Sequence, residues 1–356
     1  MFSKACLSVY LPLLLFCTSC KTEPDQHFDS SQKVQEGIYS TEKLDRILEV
    51  DTLLLNDAPS RITRKIRRME NGQLMFATYD RVLTQIGSSF QDLLGILTPK
   101  NLDAFDAIQD SKGNTWIAST HHGVFRQKGF EVKQFTTEDG LGSNRTMDIE
   151  EDLWGNIWIA TDHGLSRIQE DSIQNFAWNS DLNDSNINTI LFDNSDNLWI
   201  GSRGGLFKYK MGSYNALLPK EMQKLVVEKG NPFQNVWVVL EDEEGGFYFG
   251  GQDGMWYQKG DLTKALCDWN ITGGHLDKKG RLWVTHRGGG AHQAGLSYLS
   301  DFDPGSGAIS WQQIFEGAGM FFGMDEDTDG NLWVGHLQGV FNYDGRKITY
   351  IHRKPI

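Results

Sequence analysis

The stretch DNSDNLWIGSRGGLFKY (193–209) decides how the rest of the chain is read. It opens on an Asp at a turn, where a short carboxylate accepts backbone N–H groups two residues on. The run that follows, Leu198-Trp199-Ile200, is apolar without alternation, so it describes a strand buried on both faces. Gly205 then turns the chain into a further strand. Such a unit cannot cover its own faces and needs neighbours of the same kind.

Those neighbours are present. DSKGNTWIASTHHGVF (110–125), EDLWGNIWIATDHGLSRI (151–168), DEEGGFYFGGQDGMWY (242–257), DKKGRLWVTHRGGG (277–290) and DTDGNLWVGHLQGVFNY (327–343) repeat the pattern, and MENGQLMFATYDRVL (69–83) is a weaker copy. Met75, Trp116, Trp158, Trp199, Tyr248, Trp283 and Trp333 align, at separations of 41, 42, 41, 49, 35 and 50 residues. A β-rich repeat of this period matches the blade of a propeller. The expected fold is therefore all-β: a seven-bladed β-propeller of four-stranded antiparallel blades over residues 60–356. Segments such as 130–135 and 348–352 supply outer strands, and the aligned tryptophans are read as blade packing. Two closures stay open. The last copy owns all four strands, or DTLLLN (51–56) adds an edge strand.

Composition agrees with strands and tight turns: 38 Gly against 8 Pro, with 11 Trp, 10 Tyr and 20 Phe. The net charge of -13 speaks against nucleic acid as a partner. Residues 1–20, MFSKACLSVYLPLLLFCTSC, read as an export signal with one early Lys and an apolar run. The Cys17-Thr18-Ser19-Cys20 segment resembles a bacterial lipobox, which implies acylation of Cys20 and a membrane contact through that lipid anchor. An ordinary signal peptide cut nearby is the rival. Only Cys267 remains in the exported body, so no intramolecular disulfide forms there. Residues 21–36 read as a flexible tether and 37–59 as an extension before the ring. The expected location is the cell envelope, on the periplasmic or outer-membrane side.

In a propeller, the loops between second and third strands open on the same face as the connections between blades. That face would carry His121, His122, Asp162, His163, Arg203, Gln252, Asp253, His286, Arg287 and His336. The connections would add Asn144, Arg145, Asn186, Asn188, Gln234, Asn235, Trp269 and Asn270. Polar residues are ordinary in turns, so no one of these side chains identifies a function. Together they suit a small polar ligand or an oligosaccharide, because amides beside aromatic rings pair with sugar hydroxyls. Blade six extends its loop as RGGGAHQAG (287–295), whose glycines allow close backbone approach. No residue is assigned a catalytic role and no cofactor is expected. Asp325 to Gly330 imitates the start of an EF-hand loop, but the twelfth position is His336 and Trp333 continues as a strand, so it reads as a repeat turn.

The copies resemble two-component regulator propeller repeats, written D-x-x-G-x-L-W-I-G-T-x-x-G-L and often joined to a D-G-L-x-x-N segment. DLWGNIWIATDHGL (152–165) and EDGLGSN (138–144) carry both parts. The resemblance implies an extracytoplasmic recognition module of the kind linked to polysaccharide use. Because this chain carries no kinase part, the resemblance implies a module either separated from signalling output or working with a partner, such as an envelope protein. A broader resemblance to streptogramin lyase-type propellers implies an alternative, with His286 or His163 as a base beside Asp162 or Asp253 and a divalent metal. A scaffold for envelope complexes is a third reading.

Overall fold

The computed structural model describes residues 39–43, 48, 50–95, 101–176, 186–210, 222–225, 233–287, 294–303 and 308–355. The export signal, Cys20 and the tether lie outside the described residues, as do 288–293 of the extended loop.

Seven antiparallel sheets follow one another along the chain. Blade three is representative: Thr146–Glu151, Ile157–Thr161, Gly164–Gln169 and Ser172–Phe176 pair in sequence order from the axis outward. The inner strands of the others are Thr63–Arg68, Ala104–Gln109, Ile187–Phe192, Val238–Glu241, Asn270–Leu276 and Phe321–Glu326. Phe321–Glu326 lies beside Thr63–Arg68, so the ring is closed. The protein is a seven-bladed β-propeller.

Both closure readings hold in part. The last blade owns its four antiparallel strands, and Val50–Leu55 runs parallel to Ile348–Arg353 as a fifth. Tyr39–Lys43 does the same against Ile309–Glu316 of blade six. Both extra strands cover outer edges that would otherwise offer unpaired backbone groups. The Lys354 N–H then donates to the Leu55 carbonyl at 2.9 Å, tying the end of the ring to its beginning.

Each aligned aromatic sits between its own blade and the next. Trp116 packs with Ile149 and Ile159, Trp158 with Ile190 and Leu198, and Trp333 of the last blade with Leu74 and Phe76 of the first. The Asp of the repeat explains why a Trp belongs there. The indole Nε1–H of Trp116, Trp158, Trp199, Trp283 and Trp333 donates to Asp110, Asp152, Asp193, Asp277 and Asp327 at 2.8, 2.8, 2.8, 2.9 and 2.9 Å. The same carboxylate closes the turn, so one side chain sets both the hairpin and the wedge between blades. Blade five has Tyr248 at this position, and the Tyr257 hydroxyl donates to Asp242 instead, at 3.2 Å. The 193–209 turn lacks a Gly at its fourth residue, and Asp196 takes the left-handed conformation there at φ 59°. The second repeat Gly has a different reason: a Cβ on Gly123 would lie 2.2 Å from the Phe135 carbonyl oxygen of the outer strand.

Candidate functional site

Near its upper end, one inner strand after another carries a bulge. The register slips between Thr63 and Lys65, Ala104 and Asp106, Ile187 and Thr189, and Ile271 and Gly273. A bulge re-aims the side chain it leaves unpaired. The residues skipped, Arg64, Phe105, Asn188 and Thr272, all line a cavity of about 210 Å³ at the hub, together with Trp237. Lys65, Arg67, Glu150, His275 and Asp325 line it as well.

One wall of this cavity is a buried ion network. Arg67 donates to Asp106 at 3.1 and 2.8 Å, to Asp148 at 3.0 Å and to Glu150 at 2.8 Å. Lys65 bonds Asp148 and stands 3.5 Å from Asp106. Both Asp side chains are fully buried. They also cross between blades: Asp106 accepts the Ile149 N–H at 3.3 Å and Asp148 the Ile190 N–H at 2.8 Å. Three carboxylates share two cations, so one carboxylate lacks a full counter-charge. Burial, and then the charge of Asp106, push Asp148 up to about 7 although Lys65 opposes them. Burial acts on Asp106 too, but Arg67 and Lys65 outweigh it and hold that carboxyl well below the usual range. Arg67 is itself raised: burial is offset by Asp106, Glu150 and Asp148.

Aromatic rings line the cavity as well. The Phe105 and Trp237 rings lie 6.3 Å apart and nearly parallel. Asn188 donates to the Asn235 side chain and to the Val236 carbonyl, each at 3.1 Å. Lower in the hub, His275 stands 4.0 Å from Asp325, which also accepts the Arg68 N–H at 2.9 Å. Burial lowers the pKa of His275.

The two loop classes do share one face. Thr120, Asp162, Arg203 and Gln252 N–H groups donate to the carbonyls of Asp103, Arg145, Asn186 and Gln234. His121 pairs with Asp103 at 3.2 Å and His163 with Asp162 at 2.9 Å, both imidazoles being largely exposed. Arg145, Arg203, Gln234, Gln252, Asp253 and Arg287 are exposed on the same rim. Asn144 and His122 serve the frame: the Asn144 side chain accepts the Thr137 N–H, and the His122 carbonyl accepts from Gln134.

His286 and His336 are corrections. Each stands near the end of the second strand, three residues after its Trp, at the position held elsewhere by Thr78, Ser119, Thr161 or Ser202. That position faces into the blade. His286 is fully buried, 3.1 Å from the Ser297 hydroxyl and 4.6 Å from the Trp269 ring centre. His336 packs among Phe321, Phe341 and Tyr350, and burial lowers its pKa. Counting from each Trp, rather than from the loop, would have separated these two from the rim. Lys65, Arg67, Asp106 and Asp148 were missed. Their signal was a charge set inside an otherwise apolar inner strand, as in Ala104-Phe105-Asp106-Ala107-Ile108.

Among the described residues, no group of three or more His, Cys, Asp or Glu side chains could hold a metal ion. His286 is walled into blade six, whereas His163 pairs with Asp162 on the exposed rim of blade three and Asp253 is exposed on blade five. Asp327 of the EF-hand-like stretch accepts the Asp329, Asn331 and Trp333 N–H groups, as a turn requires.

A closed propeller with a small, part-ionic and part-aromatic hub below a polar rim belongs to the class of propeller domains. Residues 181–204 match the family model of the two component regulator propeller, and the chain carries that family's repeat. No curated protein matches it in sequence. The extracellular domain of a protein classed as a hybrid two component system in B. thetaiotaomicron shares the fold at a TM-score of 0.63 and 17% identity, over 81% of this chain and 40% of that one. The present chain thus spans about two fifths of that domain. An inactive virginiamycin B lyase from Staphylococcus aureus, solved with quinupristin, is similar at a TM-score of 0.62 and 12% identity, over 81% and 96% of the two chains. PorZ, a surface component of the type-IX secretion system of Porphyromonas gingivalis, is similar at 0.61 and 14%, over 83% and 48%. At these identities the likeness is one of fold. Among the described residues no helix is long and apolar enough to cross a membrane.

Proposed function

We propose that the chain is an exported, lipid-anchored recognition module that binds a small polar ligand, a glycan fragment, at the mouth of its hub and acts with an envelope partner. The observation that supports this is the pairing of opposite chemistries in one cavity. Asn188, Thr272 and Glu150 offer donors and acceptors, and Phe105 and Trp237 among them offer an apolar platform. Sugars present the same two characters on their edges and faces. The likeness to a sensor's extracellular domain supports placing that recognition outside the cytoplasm.

A glycan array followed by calorimetry on the full chain tests the ligand. Trp237→Ala is expected to weaken binding by about 2 kcal/mol, roughly thirtyfold, as loss of a central aromatic contact does. No carbohydrate affinity, or affinity indifferent to Trp237, would overturn the reading. The anchor has its own check. Metabolic labelling with a fatty acid should mark the wild type and not Cys20→Ala, which should fractionate away from membranes. Equal membrane retention of both would remove Cys20 from that role.

A further inference from the structure

We propose that the mouth of the hub cavity is an oxoanion site, in which the Arg64 guanidinium grips a carboxylate or sulfate group carried by the ligand. This rests on the reading above and narrows its ligand to an acidic one.

The inner strand Thr63–Arg68 carries four cations, and three are neutralised. Lys65 and Arg67 share Asp106 and Asp148, and Arg68 stands 3.5 Å from Asp325. Arg64 is different. Among the described residues no carboxylate lies within ion-pair reach of it, and its Nε–H is buried without a partner. Three aromatic rings surround it instead. Its guanidinium carbon lies 4.2 Å from the centre of Phe105, 4.5 Å from Phe322 and 5.6 Å from Trp237, from blades two, seven and five.

Ring faces hold a guanidinium by its flat sides and do not use its N–H groups, which lie in the plane. The rings engage the charge without taking up its donors, so the buried Nε–H stays available to a ligand. Two parallel N–H groups match the two oxygens of a carboxylate or sulfate, whereas a sugar hydroxyl uses only one. The surroundings point the same way. Burial, helped by the nearby charge of Arg287, lowers the pKa of Arg64 to about 10 although Tyr79 opposes them, so holding the charge there works against desolvation and repulsion. A bound anion would relieve both. In a chain of net charge -13, this cation without a carboxylate is a local exception that an incoming group could complete.

The test uses the full chain at constant ionic strength. Sulfate and acetate, each against a chloride reference, are titrated while thermal melting and tryptophan fluorescence are followed. Trp237 beside Arg64 is the expected reporter. Saturable shifts are expected in the wild type, at least tenfold weaker in Arg64→Met and partly retained in Arg64→Lys, which keeps charge but not the fork. Arg64→Met should fold, because it leaves no carboxylate unpaired. If it does not, Arg64→Lys carries the comparison. Shifts absent from the wild type, or unchanged in the Arg64 variants, would overturn the proposal. Cellobiose and cellobiouronic acid then separate the sources. Preference for the acid, lost with Arg64, supports a ligand-borne anion, and sulfate bound as tightly as the acid would reduce the site to one for free oxoanions. Neutral oligosaccharides that bind wild type and Arg64→Met equally would sink the anion proposal while leaving glycan recognition intact.

Discussion

Replacing Arg67 with Met is expected to lower the stability of the ring by about 3–5 kcal/mol, the range for breaking a buried ion pair from one side. Arg67 alone reaches three carboxylates on two neighbouring blades, Asp106, Asp148 and Glu150. Its loss would leave two fully buried Asp side chains with only Lys65 between them. The cost arises from the stranded charges and not from lost packing, since Met fills much of the same space. A urea titration should therefore show a lowered midpoint with an unchanged slope. Adding Asp106→Leu to Arg67→Met should recover part of the loss. A drop below about 1 kcal/mol, typical of an exposed pair, would mean the network is open to water.

Asp193→Ala is expected to cost about 3 kcal/mol. Asp193 accepts from the Ser195 N–H, the Asn197 N–H and side chain, and Trp199 Nε1–H, the last at 2.8 Å. Bonds to a charged group contribute about 1.5–3 kcal/mol each, but they are not additive, and removal also leaves a buried indole N–H unpaired. The same turn makes stability pH-dependent. Burial would raise Asp193, Asp277 and Asp327, yet hydrogen bonds from their own turns and tryptophans hold all three below the ordinary carboxylate range. A lowered folded pKa contributes stability above the unfolded value and loses it as pH falls. Asp148 works in the opposite sense: its raised pKa of about 7 contributes below the unfolded value and loses it as pH rises through neutrality. The melting temperature should thus be highest near about pH 4, fall below it as the turn carboxylates protonate, and fall from there to about pH 7 as Asp148 ionises, then level off. A melting temperature that does not fall between about pH 4 and 7 would contradict the reading of Asp148, and one unchanged from about pH 4 down to pH 2 would contradict that of the turn carboxylates.

Much of the ring was legible before the structure because its signals are local. The Asp-to-Trp spacing fixes a turn and a buried strand within a few residues, and copying it fixes the architecture. The rim was legible for the same reason at Asp162, His163 and Arg203, which sit on turns. It failed at His286 and His336, where a polar residue occupies a strand end that faces inward. Polarity was read as exposure there, but a half-apolar imidazole is also content beside Trp269 or Phe321.

By itself the chain of residues determined the blade and the number of blades, while leaving two ways to close the circle, since turn chemistry and strand burial act over short separations. What lies at the axis was decided only in three dimensions. Arg64, Phe105, Trp237 and Phe322 come from four blades, and no spacing links them. Arg64, Phe105 and Phe322 reach Trp237 because bulges in their inner strands re-aim them into the hub, and a bulge is a property of paired backbones that no single stretch of sequence announces.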